Sequence, residues 1–330
     1  MFEEARMPRP RSTQISLEDT PFYHCVSRTV RRAFLCGIDH YSGQSFEHRR
    51  NWIEQRLLQL TQAFAIDVAA YAVMSNHVHV VLHVDMDKAR AWSSSEVINQ
   101  WHQLFKGTPL TQKFAKGEPL ETYELDPFND RVTEYRRRLM DISWFMRALN
   151  EPIARRANKE DKCTGRFWEG RFKSQALLDE AAVLACMVYV DLNPVRAKLA
   201  TTPEQSDFTS IQRRIKAAIH GKQPARLLPF VGNEQQELPR GLRFEANDYL
   251  ALVDDTGRII RDDKRGAIQP RTANILNSIN IPLDSWLKVT LEFKHLFTGP
   301  VGKLQDVTRY CQRLGMKRVM RASSSRYWHH

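Results

Sequence analysis

The stretch Tyr71-Ala-Val-Met-Ser-Asn-His-Val-His-Val-Val-Leu-His-Val84 decides how this chain is read. Its two halves are apolar and rich in β-branched residues, and Ser75-Asn76 divides them. That pattern predicts two antiparallel strands, 66–74 and 76–84, joined by a tight turn. On a strand, side chains at i and i+2 point the same way, with Cα atoms roughly 6.6–6.8 Å apart. His77 and His79 therefore share one face and can grip a single metal ion from it. Val78, Val80, Leu82 and Val84 fall on the other, dry face, and His83 lies further along the histidine face. Eleven histidines in 330 residues make a His-x-His triplet an easy product of chance, so the pair gains meaning only from its context.

The charge balance supplies part of that context. Lys and Arg number 49 against 38 Asp and Glu, a formal net charge of +11. Such a balance points to a polyanionic partner, with nucleic acid the first candidate. A hydrophobic content of 42% with 10% aromatics implies a packed core rather than disorder. No apolar run approaches the ~20 residues of a membrane helix, and no basic amphipathic anchor stands out, so no membrane partner is expected. The first residues lack an apolar signal core, and the expectation is a cytoplasmic, nucleoid-associated protein. Five scattered cysteines without a Cys-x-x-Cys spacing argue against a disulfide framework and a thiolate zinc site.

Around the histidine hairpin, residues 21–27 read as a first strand and 46–64 as a helix with Trp52, Ile53, Leu57, Leu60 and Phe64 in helical register. Residues 87–105 and 136–158 read as helices, the second basic on one side and interrupted near Pro152. Residues 106–130, with Gly, Pro and acidic residues, read as a long loop. The alternation in 165–177 predicts a fourth strand, and 179–192 a helix capped by Asp179. The order strand, helix, strand, strand, helix, strand, helix implies an α+β fold. The expectation is a mainly antiparallel, ferredoxin-like or RRM-like sheet with helices on one face, plus a C-terminal helical extension. The organisation expected is a basic arm at 1–20, a catalytic unit at 21–212, a linker at 213–240 and a small basic helical region at 241–330. In that last region helices are expected over 248–255, stopped near Gly257, 284–297 and 303–314.

The helix over 179–192 places Leu184, Val188 and Leu192 on one stripe, with Tyr189 about 100° round from Val188 at its edge. Asn193 follows one turn later, on the same side as Tyr189. By spacing alone a tyrosine in that position is ordinarily a packing residue with a solvated hydroxyl.

Four blocks in order change that reading. Tyr23-His-Cys-Val-Ser-Arg-Thr-Val-Arg-Arg32, Met74-Ser-Asn-His-Val-His79, Gly165-Arg-Phe-Trp-Glu-Gly-Arg-Phe-Lys-Ser174 and Tyr189-Val-Asp-Leu-Asn-Pro-Val-Arg-Ala-Lys198 together resemble the single-tyrosine HUH transposases. The likeness is strongest to the REP-associated tyrosine transposases, which handle hairpin-forming repeats, and it spans about residues 20–212. It departs from the family where Ser75 stands in place of a common proline. The resemblance implies that His77 and His79 hold a divalent ion, Mg or Mn, with Asn193 as third ligand. It implies that Tyr189 is the nucleophile, attacking a DNA phosphate to form a 5′-phosphotyrosine and free a 3′-OH, which allows later strand transfer.

Arg28, Arg31, Arg32, Arg166, Arg171 and Lys173 flank the expected site and suit tracking of phosphates, while Trp168, Phe167 and Trp101 offer stacking faces for unpaired bases. The expected partner is single-stranded or hairpin DNA, bound by a monomer or homodimer. A replication-initiator or relaxase-type nickase uses the same chemistry, and a non-catalytic nucleic-acid-binding module could share the fold. Both remain open at this level.

Overall fold

The computed structural model describes residues 14–30, 35–38, 43–232, 240–260, 270–316 and 327. The two-residue break at Ser75-Asn76 does what its sequence demands: Met74 N–H donates to His77 O at 2.9 Å, closing a hairpin between β2 (Ile66–Val73) and β3 (His77–Val84). β1 (Phe22–Arg28) pairs antiparallel with β3 on its other side, and β4 (Lys173–Leu177) pairs antiparallel with β1. The described residues thus form a four-stranded antiparallel sheet in the order β2-β3-β1-β4, within an α+β chain. The pairing of β2 with β3 shifts register between Val68 and Ala70, and β2 is apolar and buried on both sides there.

Helix α1 (His48–Ala63) connects β1 to β2. Between β3 and β4 lie α2 (Met86–Ala91), α3 (Ser94–His102), α4 (Pro109–Ala115), α5 (Thr122–Leu139) and α6 (Ile142–Glu160). After β4 come α7 (Glu180–Asp191), the single turn α8 (Asn193–Arg196), α9 (Ser210–Ala218), α10 (Ala246–Ile260), α11 (Pro270–Ser278), α12 (Leu283–Leu296) and α13 (Leu304–Arg313).

The expectation of helices on one face is corrected. Val78, Val80 and Leu82 join a core with Ile53 and Leu57 of α1, Val97 of α3 and Phe145 of α6. Val81, on the histidine face, joins a second core with α7, Ile211 of α9, Leu252 of α10 and Trp286 of α12. Both faces carry apolar side chains, so both need cover. Helix α7 is buried from Ala181 through Asp191. The single stripe read from the sequence is part of a helix apolar almost all round, and such a helix has to be enclosed.

Other differences have equally local causes. The fourth strand is shorter than 165–177: before Lys173 the segment touches the sheet through a Thr29–Trp168 bridge, and the Trp168 indole N–H donates to Asn150 O at 2.9 Å. The loop expected at 106–130 holds α4 and the start of α5, because Thr108 and Pro109 form a helix N-terminus rather than a turn. Helix α6 continues through Pro152, and the carbonyl of Ala148 that the proline cannot serve accepts instead from Arg56 Nε at 3.0 Å. Its basic side is largely paired, with Arg147 and Arg155 both on Glu151. Helix α10 runs past Gly257, where a Cβ would meet Leu192 Cδ2 at 3.1 Å, so the glycine serves close packing.

Asp191, fully buried on α7, fastens these layers. It accepts from Ser210 Oγ and the Ile211 N–H of α9 and from the Tyr249 hydroxyl of α10. Burial lifts its carboxyl to about 6 in spite of those three donors. Asp191→Ala strands the Tyr249 hydroxyl and the Ile211 N–H, while Ser210 Oγ keeps Tyr71 O at 3.2 Å, and should lower stability by about 3–5 kcal/mol, read as a lower urea midpoint. A change below about 1 kcal/mol would mean that these donors find other partners.

Candidate active site

Register decides which side chains meet on the α7 side of the sheet. His79 lies opposite Val26 and His24 opposite Val81, which makes the two imidazoles diagonal neighbours on one face. Their Nε2 (His24) and Nδ1 (His79) atoms are 2.8 Å apart. His77, two residues before His79, brings its ring centroid to 4.8 Å from that of His79, and its Nδ1 lies 2.6 Å from Asn76 Oδ1. On β4, Gln175 stands opposite His24 and Lys173 opposite Val26, so both belong to this face.

Helix α7 delivers Tyr189 onto the cluster. Its ring centroid is 5.8 Å from that of His79 and 6.2 Å from that of His24, edge-on to both. Asp179 sets the helix start by accepting from Ala182 N–H at 2.7 Å, and its second oxygen accepts from Lys303 N–H. Phe293 of α12 stacks on Tyr189 at 5.1 Å and meets His24 edge-on at 6.2 Å. The Arg196 guanidinium lies 3.9 Å over the same ring and donates to Tyr189 O and Thr290 O. Asn193 begins α8, one turn beyond Tyr189, and is buried.

Tyr189, His79, His24 and Asn193 are each exposed by no more than 9%, whereas His77 is only half-buried. The enclosure sets the electrostatics. Burial holds His24 and His77 down at about 4 and His79 well below the usual range, so all three rings are neutral near pH 7. Burial also raises the Tyr189 phenol, with Arg196 acting in the opposite direction. Arg28 and Lys294 act on His77 as nearby cations, which gives the mouth of the site a positive potential suited to a phosphate.

The donor set can be tested against a divalent ion. Among the described residues no three His, Cys, Asp or Glu side chains converge as a metal site, so a third protein donor would be of another type. Asn193 could offer its side-chain oxygen; its buried amide nitrogen, which lacks a hydrogen-bond partner among the described residues, is a donor and does not itself speak for a cation. Two neutral imidazoles on one strand face, with an amide oxygen one helical turn beyond Tyr189, are a donor set compatible with Mn²⁺ or a partly hydrated Mg²⁺.

The structure therefore brings His77, His79 and Tyr189 into one ring cluster, with Asn193 one helical turn on. Arg28 stands near His77, and Lys173 is exposed on the same face. Arg166 and Arg171 are exposed on the segment preceding β4, while Trp168 packs on the α1 side of the sheet. Trp101 and Phe167 are buried in that core, so their faces are taken. Arg31 and Arg32 lie outside the described residues. Sequence reading missed His24, Gln175, Arg196, Phe293 and Lys294. The alternation Phe22, His24, Val26 on β1 held a signal for the first, but nothing local marked Phe293 or Lys294.

No family profile matches the chain, and no curated protein does. Among solved structures, "Structure of the REP associates tyrosine transposase bound to a REP hairpin" matches 68% of this chain and 92% of its own, at 11% identity and a TM-score of 0.35. A likeness that loose carries no argument about the fold or the chemistry of this chain.

The stacking of Phe293 on Tyr189 has a measurable consequence. Phe293→Ala should cost about 3–5 kcal/mol and open the phenol to tetranitromethane, followed by peptide mass spectrometry. Tyr189 should resist nitration in the parent protein while Tyr123, 78% exposed, reacts. Equal reactivity of the two in the parent would contradict an enclosed site.

Proposed function

We propose that this protein cleaves and rejoins single-stranded or hairpin DNA on a ferredoxin-like sheet, through a covalent phosphotyrosine at Tyr189. The observation that carries the proposal is the meeting of the Tyr189 ring with His79, whose strand neighbour His77 shares its face. A phenol beside two neutral imidazoles needs an explanation that packing alone does not supply, because burying so many polar groups is costly without a use.

In this reading Tyr189 Oη attacks phosphorus and its proton is lost. The P–O bond to the 3′ oxygen breaks, and that oxygen leaves as a hydroxyl after gaining a proton. The phosphotyrosine conserves the energy of the phosphodiester, so a 3′-OH from another strand can reverse the step. His77, His79 and Asn193 would hold a divalent ion, Mg or Mn, which when bound supplies Lewis-acid polarisation of a phosphate oxygen. Arg196, stacked on the phenol ring, fixes the ring and offers positive charge to the developing phenolate. Arg28, Lys173 and Lys294 border the site and suit the strand on either side of the scissile phosphate.

The test is a denaturation-resistant protein–DNA adduct formed on labelled single-stranded and hairpin oligonucleotides with Mn²⁺ or Mg²⁺. The parent chain should form it. Tyr189→Phe should abolish it, and His77→Ala and His79→Ala should each reduce it by roughly 100-fold or more. Tight DNA binding without any adduct on either substrate type would replace this reading with that of a binding module.

A further inference from the structure

A chain of oriented hydrogen bonds leads from the C-terminal region to His79. The segment after α12 docks on β4: Val301 N–H donates to Ala176 O at 2.9 Å and Leu178 N–H to Val301 O at 2.8 Å. It brings two carbonyls to Gln175, whose Nε2 donates to Phe297 O at 3.0 Å and to Gly299 O at 2.7 Å. Carbonyl oxygens only accept, so the amide of Gln175 has one orientation: nitrogen toward the segment, Oε1 toward the sheet.

That orientation propagates. Gln175 Oε1 faces His24 Nδ1 at 3.4 Å, and an amide oxygen can only accept, so His24 carries its proton on Nδ1. In a neutral ring Nε2 then holds the lone pair. The 2.8 Å contact between His24 Nε2 and His79 Nδ1 needs one donor, and His79 Nδ1 is the atom left to donate. His79 Nε2 remains with its lone pair uncommitted.

We infer that Gln175 and His24 are positioning residues that fix the tautomer of His79, leaving Nε2 as the atom that faces an electrophile. The inference rests on the proposed reading insofar as that electrophile is a divalent ion. Ligating histidines generally donate their other ring N–H to an acceptor, which fixes the ring and its basicity. Here the acceptor is a second imidazole, oriented in turn by backbone carbonyls more than 120 residues later in the chain. The C-terminal segment thereby becomes part of the site's protonation pattern.

The experiment is long-range ¹H–¹⁵N correlation on the full chain labelled with ¹⁵N-histidine, without metal. In the parent, both His24 and His79 should show a protonated Nδ1 and an unprotonated Nε2. Gln175→Met, close in length but with only a weak thioether acceptor in place of the amide oxygen, should let both rings populate the other tautomer. His24→Phe, which removes the acceptor for His79, should do the same at His79. Mn²⁺ affinity, followed by water-proton relaxation, should fall roughly 10- to 100-fold in each variant. A parent His79 protonated on Nε2, or an unchanged tautomer in Gln175→Met, overturns the inference. Failure of the parent to take up Mn²⁺ would instead sink the metal reading, while the spectra still decide the relay. A variant that merely loses packing would change the melting temperature and leave the nitrogen shifts where they were.

Discussion

The architecture turns on the burial of α7. A helix with Ala181, Val183, Leu184, Val188 and Val190 spread over its whole circumference cannot lie on a sheet with one side in water. The sheet takes one side of it, and α9, α10 and α12 take the rest. Polar groups on such a helix have to be satisfied internally, and Asp191 is, by donors from α9 and α10. Tyr189 is the polar side chain turned the other way, toward the imidazoles. Its position is therefore fixed by packing on every side, with Arg196 acting on both its ring and its hydroxyl.

This constraint explains which parts of the molecule could be read from the chain. The hairpin around Ser75-Asn76 and the cap at Asp179 depend on neighbours within a few residues, and their signals are strong. The shared face of His77 and His79 follows from strand periodicity alone. The second covered face of the sheet was not legible in the same way. A strand such as β3, with valines on both sides, fits either a one-sided sheet bearing a few surface residues or a sandwiched one. What decides between them is the composition of α7, where the stripe of Leu184, Val188 and Leu192 drew attention from the equally apolar remainder. Gly257 and Pro152 mislead for a related reason: each looks like punctuation, and each is accommodated by a distant partner, Leu192 in one case and Arg56 in the other.

Long-range side chains at the site were the least legible. Phe293 lies more than 100 residues beyond Tyr189, on a helix whose own pattern of Trp286, Val289 and Phe293 says only that one face is buried. Nor could spacing reveal that Gln175 and His24 stand opposite each other, since the pairing of β1 with β4 is set by the whole sheet. Sequence motifs carry the chemistry of individual groups. Their protonation and exposure come from tertiary contacts.

The enclosure of the cluster bears directly on reactivity. A phenol surrounded by Phe293, His79 and Arg196 is kept protonated by burial, and the imidazoles are kept neutral for the same cause. In this state the phenol would be a weak nucleophile. On the proposed reading a phosphodiester would have to reach Tyr189 past the Phe293 ring stacked on it, whereas His77 at the rim is already half-exposed. Such entry would displace α12 or at least the Phe293 side chain; of the Arg196 contacts, the one to Thr290 O crosses to α12, while the one to Tyr189 O stays within the α7–α8 turn. A movement of α12 away from α7 would also release the Arg196 donor held by Thr290 O, leaving it available to an anion. On the proposed reading, exposure of the phenol and release of a donor of the cation that would stabilise its phenolate are coupled through the way α12 is fastened to α7.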